Sequence, residues 1–326
     1  DTMKLGGTLA SQYVLTNDPR LSDARAPAAG STNYIQNTTS VQPAGNFNIS
    51  GSGNANILNA QTEYQLGGSR ILKRLGTSLF IGDGAGAAAT SVFDNTFVGS
   101  STGGNTTTGQ SNSFFGRAAG LYNQTGGGNS FFGANAGSNQ TGNNNSIFGS
   151  TLLFSNPFRT GDFNSFFGHR AGQLTSGSFN SFFGTGAGFN NDSGASNTFV
   201  GRNAGDMNIN GSFNTALGEF ANFNGNNQTN ATAIGAKAFV AQSNSLVLGS
   251  INGVNGATAD TNVGIGTTTP NTNSKLHVNG TVRVTNGAVY ITNPNTVIIT
   301  SPNGACWGIT VGNTGTLATF PVNPCP

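Results

Sequence analysis

The pattern of apolar and polar positions along this chain is dominated by a five-residue phrase, Asn-Ser-Phe-Phe-Gly, repeated through its middle part. Full and looser copies, such as NTFVG and ATAIG, end in glycines at 82, 99, 116, 133, 149, 168, 184, 201, 218, 235, 249 and 266. Most successive glycines are about 17 residues apart, a fixed short period that is typical of stacked repeats. The sequence therefore predicts an all-β fold, a parallel β-solenoid (β-roll) with coils of about 17 residues.

Side chains alternate between the two faces of a strand, so the second and fourth positions of the phrase lie on one face and the first and third on the other. The fourth position is always large and apolar, so we expect it to form the core of the coil: Phe115, Phe132, Phe148, Phe167, Phe183, Val200 and Leu217. The third position then faces outward, where an apolar stripe predicts a contact between copies of the chain. This trimer-interface ladder comprises Phe97, Phe114, Phe131, Ile147, Phe166, Phe182 and Phe199. Three copies around a common axis bury such a stripe most economically, so we expect a homotrimer.

Two further features recur with the phrase. An Ala-Gly pair three residues after several of the closing glycines marks a second corner of the coil, at 119–120, 136–137, 171–172, 187–188 and 204–205. The asparagine at position one is expected to stack on its equivalents as an amide ladder. At about 4.8 Å per coil the array would extend over roughly 53 Å.

The array spans residues 78–266, and the flanking regions have other patterns. Residues 1–30 are interrupted by prolines and predict an extended junction segment. Residues 31–77 predict a collar of short strands separated by glycines. Residues 267–326 carry Asn-Gly turns at 279–280 and 286–287 between alternating apolar residues, which predicts a hairpin-rich C-terminal cap. Further strands are expected there at 296–300, 306–311 and 316–320.

One coil departs from the repeat. The interval from Gly149 to Gly168 is the longest between successive closing glycines, and its Ala-Gly pair is missing. The segment TLLFSNPFRTGDF should leave the coil as a loop. It is either a tolerated insertion or a binding loop.

The composition argues against a disordered chain, a nucleic-acid-binding protein and a membrane-inserted protein. Charged residues make up 7% of the chain, against about a quarter in ordinary domains. Its 24 phenylalanines recur at fixed spacing, which favours an ordered fold over a disordered chain. A net charge of +2 predicts no nucleic-acid partner, and no apolar run is long enough to insert into a membrane.

Few residues have side chains suited to catalysis or to metal binding. The two histidines, His169 and His277, stand apart, and no cluster has the spacing of metal ligands or of a catalytic triad. We therefore expect no catalytic residues, no metal, no cofactor and no enzymatic activity. Cys306 and Cys325 predict a disulfide and an oxidising compartment, the alternative being two free buried thiols.

Three stretches resemble known families. Residues 17–25 (NDPRLSDAR), with 5–7 (LGG) and 10–14 (ASQYV), resemble junction segments of phage tail fibres and related bacterial fibre proteins. Residues 233–238 (AIGAKA) and 245–249 (SLVLG) are similar to the head repeats of trimeric autotransporter adhesins. Residues 262–284 (NVGIGTTTPNTNSKLHVNGTVRV) look like the passage before the terminal domain of fibre proteins with an endosialidase-type chaperone. The adhesin resemblance implies homotrimers of parallel β-rolls.

Repeat, composition and resemblance together predict a structural, non-enzymatic subunit of a homotrimeric extracellular fibre or filament. It would be secreted or displayed on a bacterial cell surface as an appendage or adhesive stalk. Its main partner would be itself, with end-to-end polymerisation as a further option and a cell-surface glycan or protein as a candidate receptor. The alternative is a phage tail fibre, part of a virion tail, that binds a receptor on its host.

Overall fold

The computed structural model describes residues 4–5, 8–9, 63–151, 159–225, 227–289, 297–311 and 314–323. The chain divides into two compact units, Asp1–Gln61 and Thr62–Pro326. In the first unit, β1 (Lys4–Leu5) and β2 (Thr8–Leu9) pair as an antiparallel hairpin. The rest of the predicted junction segment and residues 31–62 of the predicted collar lie outside the described residues.

The second unit is built on one sheet of 13 strands. Its members are β3 (Glu63–Leu66), β4 (Ser69–Leu75), β5 (Ser78–Ile81), β6 (Thr96–Val98), β7 (Ser113–Phe115), β8 (Ser130–Phe132), β9 (Ser146–Phe148), β10 (Ser165–Phe167), β11 (Ser181–Phe183), β12 (Thr198–Val200), β13 (Thr215–Leu217), β15 (Thr232–Ile234) and β17 (Leu246–Leu248). Two short strands, β14 (Asn222–Phe223) and β16 (Phe239–Val240), pair beside it. Among the residues that the structure describes there is no helix.

The sheet stacks the repeated phrase in register. From β5 to β17, neighbouring strands run parallel, and equal positions of the phrase face each other, as Phe114 faces Phe131. The predicted parallel β-solenoid is confirmed, with about 11 coils. At the amino-terminal end, the antiparallel hairpin of β3 and β4 pairs with β5 and covers the edge of the first coil.

The two faces of the sheet are the reverse of the prediction. The third position of the phrase is buried inside the coil, with Phe97, Phe114, Phe131, Phe182 and Phe199 at 0% exposure, Phe166 at 2% and Ile147 at 6%. The fourth position faces outward, half-buried at Phe115, Phe132 and Phe148 and exposed at Phe167, Phe183, Val200 and Leu217. The predicted coil core is thus the outer face, and the predicted trimer-interface ladder is the coil core.

The asparagine at position one is the physical reason for this orientation. It shares its face with position three, and its amide finds its partners inside the coil. The Asn145 Nδ2 donates to the Gly161 carbonyl at 2.9 Å, and the Asn145 Oδ1 accepts from the Asn164 backbone N–H at 2.9 Å. The same two bonds recur along the array, so the asparagines stack as predicted, but their bonds run mainly to the backbone of the next coil. Direct amide–amide bonds join Asn145 to Asn129 and Asn164 to Asn145. Because a buried polar group is costly without such bonds, the asparagine fixes which face points inward.

The Ala-Gly pair provides the space for the inward phenylalanine. A Cβ built on Gly120 would lie 2.3 Å from Phe114 Cε2, and Gly103, Gly137 and Gly188 lie similarly close to the rings of their own coils. From Phe97 onward, the coil interior is one column of rings, stacked at 4.7–5.0 Å where two phenylalanines are neighbours. The column packs against a wall of alanine and glycine.

The last coils fill the same core by a different arrangement. Position three shrinks to Ala216 and Ala233, and the facing wall gains the fully buried Phe223 and Val240. Phe223 continues the ring column, with its centroid 5.8 Å from that of Phe199. Exchanges that conserve total volume are the ones that a packed core tolerates best.

The carboxyl-terminal part differs from the prediction in two respects. The copy of the phrase at 262–266 leaves the main sheet: β18 (Val263–Ile265) pairs with β19 (Leu276–Val278) in parallel. The hairpins expected at the Asn-Gly turns do not form, since 281–289 contains no strand. The predicted later strands are present as an antiparallel sheet of β20 (Val297–Thr300), β21 (Cys306–Val311) and β22 (Leu317–Val322).

Candidate functional site: the outer face of the parallel sheet

The outer face of the parallel sheet carries two columns of side chains, one apolar and one hydroxylic. Position four supplies the apolar column: Ile81, Val98, Phe115, Phe132, Phe148, Phe167, Phe183, Val200, Leu217, Ile234 and Leu248. We call this column the outer ladder. Position two supplies serine or threonine from β6 to β15. Since no main-sheet strand from β5 to β17 contains a charged residue, the face is neutral throughout.

The five phenylalanines of the outer ladder stack on one another. Ring centroids are 4.7–4.9 Å apart from Phe115 to Phe183, and successive ring planes differ by 4–7°. The spacing equals the separation of neighbouring strands, so the in-register sheet imposes it. Stacking hides one ring from the next, yet exposure still reaches 40% at Phe183 and 46% at Leu217. A soluble monomer rarely presents a continuous apolar strip of this length.

In three coils, a phenylalanine occupies the corner that immediately precedes the strand. This corner residue has a positive φ and is usually a small polar residue, such as Ser111, Asn144 or Ser196. In three coils it is Phe163, Phe179 or Phe213, with φ of 56–62° and 52–64% exposure. Phe163 and Phe179 stack at 5.3 Å. A bulky side chain in this backbone region is strained, and such strain is concentrated at functional positions.

Charged groups gather at the other border of the outer face, after the closing glycine. Arg170 lies over the Phe189 ring at 4.4 Å, and Arg202 lies over the Phe220 ring at 4.6 Å and pairs with Glu219. His169, Arg170, Phe189, Asn203 and Asp206 line a shallow depression there. Burial raises the pKa of the Asp206 carboxyl, and a hydrogen bond from the Asn222 amide opposes that shift.

The remaining predicted site residues are distributed as follows. Cys306 is buried at the start of β21, opposite Val322 of β22. Cys325 lies outside the described residues, so the disulfide stays a prediction. The irregular loop is also outside them at 152–158, but the coil re-forms at Arg159, whose guanidinium lies 3.4 Å from the Asp192 carboxylate. Burial lowers the pKa of Arg159, while Asp192 acts in the opposite direction.

In the ranges that the structure covers, no group of three or more His, Cys, Asp or Glu residues could hold a metal ion. In the same ranges, no helix is long and apolar enough to cross a lipid bilayer.

The sequence-based prediction was wrong about which phenylalanine of the phrase, at position three or position four, is exposed. Two features of the sequence could have indicated the correct one. The buried asparagine at position one shares its face with position three, and the Ala-Gly pair leaves a ring-sized space on the opposite wall. The prediction also missed Phe163, Phe179 and Phe213, whose exposure depends on a backbone conformation that the pattern does not show. In comparisons with known proteins, no family model, no curated protein and no solved structure matches this chain.

Proposed function

We propose that this chain is a structural, non-enzymatic subunit of a homotrimeric extracellular fibre or filament, such as a surface appendage or an adhesive stalk. The observation that carries the proposal is the outer ladder, a neutral and continuous apolar strip on a chain whose coils are already filled. Because the core needs no further side chains, the strip is available for contacts between copies. The likeness of residues 233–249 to homotrimeric adhesin heads supports the same assembly.

The dimensions of the outer ladder support association along its whole length. Strands of three residues are roughly 10 Å long, and ten coil intervals extend over roughly 48 Å, so the whole outer face, with its apolar and its hydroxylic column, covers about 480 Å². A stable interface buries about 800 Å² on each partner. The outer face therefore provides more than half of that area, and parallel copies around one axis place equal coils side by side. Such rods would resist unfolding and proteolysis because backbone ladders continue through every coil.

The extracellular setting rests on composition and on the cysteines. A surface of Asn, Ser and Thr with 7% charged residues suits a neutral fibre exposed to solvent. A disulfide between Cys306 and Cys325 would require an oxidising compartment. Mass spectrometry of the unreduced protein should show a mass two hydrogen atoms below that of the reduced chain; two alkylatable thiols would remove this support.

The assembly is tested by substituting the outer ladder. We expect Phe132→Ser, Phe148→Ser and Phe167→Ser, combined in one chain, to convert trimers to monomers in sedimentation velocity while the β circular dichroism spectrum persists. The matched control is Met207→Ser, which removes an apolar side chain of 48% exposure outside the sheet. Trimers that survive the triple substitution would contradict the proposal.

A second candidate function is favoured by a separate observation, the strained and exposed Phe163, Phe179 and Phe213. A phage tail fibre recognises its host, and exposed aromatic rings stack well on the apolar faces of neutral sugars. If the chain has this role, replacing the three residues by serine, the residue of other coils at this corner, should abolish binding to host cells without altering assembly. Unchanged binding would eliminate these rings as the receptor site.

A further inference from the structure

The depression at the border of the outer face is a gap between stacked coils. The second residue after the closing glycine is Arg170, Gly186 and Asn203 in three successive coils. The Gly186 N–H donates to the His169 carbonyl at 2.9 Å. The Asn203 N–H donates to the Thr185 carbonyl at the same distance of 2.9 Å, so the three coils are in register there. Because glycine has no side chain, the middle coil leaves space between the two larger residues.

The size of the depression limits what it can hold. Phe189 and Asp206, each the fifth residue after the closing glycine of its coil, also line it. Its volume is about 190 Å³. At about 30 Å³ for each molecule of liquid water, this volume corresponds to roughly six waters. That is the size of one monosaccharide ring with its hydroxyls, and it is smaller than the pockets of drug-sized ligands.

Several polar groups of the lining are available to a ligand. Among the described residues, neither the Thr185 hydroxyl nor the Asn203 amide has a hydrogen-bond partner. The Asp206 carboxylate accepts from the Asn222 amide through Oδ1, and its second oxygen has no partner in the same part of the chain. Burial raises the pKa of this carboxyl, which shows that it is partly removed from water. A ligand hydroxyl that donates to the carboxylate would replace the lost hydration.

The guanidinium of Arg170 is held in place before any ligand binds. It lies over the Phe189 ring at 4.4 Å, and its Nε donates to Gln173 Oε1 at 2.9 Å. Its two terminal nitrogens are left to donate to a ligand. Because the side chain is already ordered, binding to it costs little conformational entropy.

The charges of the lining select the class of ligand. Asp206 disfavours an anion and Arg170 disfavours a cation. A neutral molecule with several adjacent hydroxyls suits both, since each hydroxyl can donate to an oxygen and accept from an N–H. We infer that this depression binds one neutral hexose unit of a glycan, whose hydroxyls donate to Asp206 and accept from Arg170 and Asn203. The site lies within one copy of the chain, so it adds a ligand to the proposed fibre and does not depend on the homotrimer.

Saturation-transfer NMR on the full chain, with the methyl glycosides of glucose, galactose and mannose as probes, tests the inference. We expect at least one of them to bind with a dissociation constant of about 1 mM. Gly186→Asn should abolish the signal, because the new side chain fills the gap and a Cβ there would lie 2.2 Å from Asn203 Oδ1. Asn135 and Asn203 adopt the same positive φ at the equivalent positions, at 59° and 53°, so the coil accepts asparagine there. The matched control is Gly84→Asn, at the same position of another coil, where a Cβ meets Ser101 Oγ at an ordinary 3.4 Å.

Asp206→Asn keeps the shape of the side chain and removes its charge, so it should weaken hexoside binding about tenfold. Asp192→Asn, at a carboxylate outside the depression, should leave binding unchanged. No signal from any of the three glycosides at about 10 mM, ten times the expected dissociation constant, would overturn the inference. Unchanged binding by Gly186→Asn would also overturn it.

Two charged probes test the class of ligand. If the methyl glycoside of N-acetylneuraminic acid or free serine binds where the hexosides do not, the neutral-sugar assignment is wrong. Sedimentation velocity on the same samples reports the assembly separately. A monomer that binds hexosides would contradict the homotrimer and support this site, whereas a trimer that binds none would do the reverse.

Discussion

The inner and outer faces of the parallel sheet carry the same amino acid in adjacent positions, with opposite consequences. Phe131 is fully buried against Ala136 and Gly137, while Phe132 is stacked between its equivalents on the outside. The inner column is complete within one chain because each ring fills the space left by its Ala-Gly pair. The outer ladder is completed by nothing in the described part of the chain. One position therefore holds the coil together, and the other is available to hold copies together.

The largest expected effect separates the two positions directly. Phe131→Ala leaves a cavity in the coil and should cost about 3–5 kcal/mol in the free energy of unfolding. Phe132→Ala loses ring stacking and should cost about 1 kcal/mol. Urea denaturation followed by circular dichroism, at a concentration where each variant is monomeric, checks the difference. Equal costs at the two positions would contradict the assignment of faces.

The second effect concerns the asparagine that orients the strand. Asn145→Ala leaves the Asn164 backbone N–H without its acceptor and removes one of two donors to the Gly161 carbonyl, which keeps the Gln140 amide. Each unsatisfied buried group costs about 1–3 kcal/mol. The neighbouring Ser146→Ala, on the outer face, should change the free energy of unfolding by about 0.5 kcal/mol or less. If both variants melt at the wild-type temperature, the amide ladder does not orient the sheet.

A third, smaller effect tests the fit between ring and glycine. Gly120→Ala and Gly67→Ala both place a side chain at a positive φ, 58° and 56°, and share that cost of about 1–2 kcal/mol. A Cβ on Gly67 meets nothing within 4 Å, whereas one on Gly120 overlaps the Phe114 ring. Gly120→Ala should therefore cost a further amount of about 1–3 kcal/mol. Thermal melting of the two variants side by side measures it, and identical melting temperatures would refute the fit.

The smallest effect lies at the border of the outer face. Because burial raises the pKa of Asp206, its contribution to stability is greatest below the unfolded-state pKa of about 3.9 and is lost as pH rises through the folded-state value. Asp206→Asn should flatten the pH dependence of the melting temperature in that window and slightly stabilise the protein at neutral pH. A variant whose pH profile matches the wild type would show that Asp206 does not contribute.

Much of the fold can be predicted because the repeat fixes it. A fixed period of about 17 residues, with Asn and Gly at constant positions, allows little besides stacked coils. The amide ladder follows from stacking identical asparagines. The strand at 306–311 is also predicted with its observed bounds, since CWGITV is rich in strand-forming residues.

The orientation of the two phenylalanines could not be predicted from their apolar character, since both positions are apolar. It depends on where the Asn145 amide and the Gly137 backbone lie in three dimensions. The decrease from Phe to Ala at position three also hides its inward orientation, because the compensating Phe223 stands in a different part of the coil. Residues 281–285 have the alternating pattern of a strand but form none, so the pattern alone does not decide the structure there.

The central claim, that copies of this chain assemble as a homotrimer, is tested most directly by the mass of the intact protein in solution. Multi-angle light scattering over a range of concentrations should give three times the 33.0 kDa mass of the chain, with dissociation on dilution. A mass of 33.0 kDa at every concentration would contradict the account, because the outer ladder would then face water in a stable monomer.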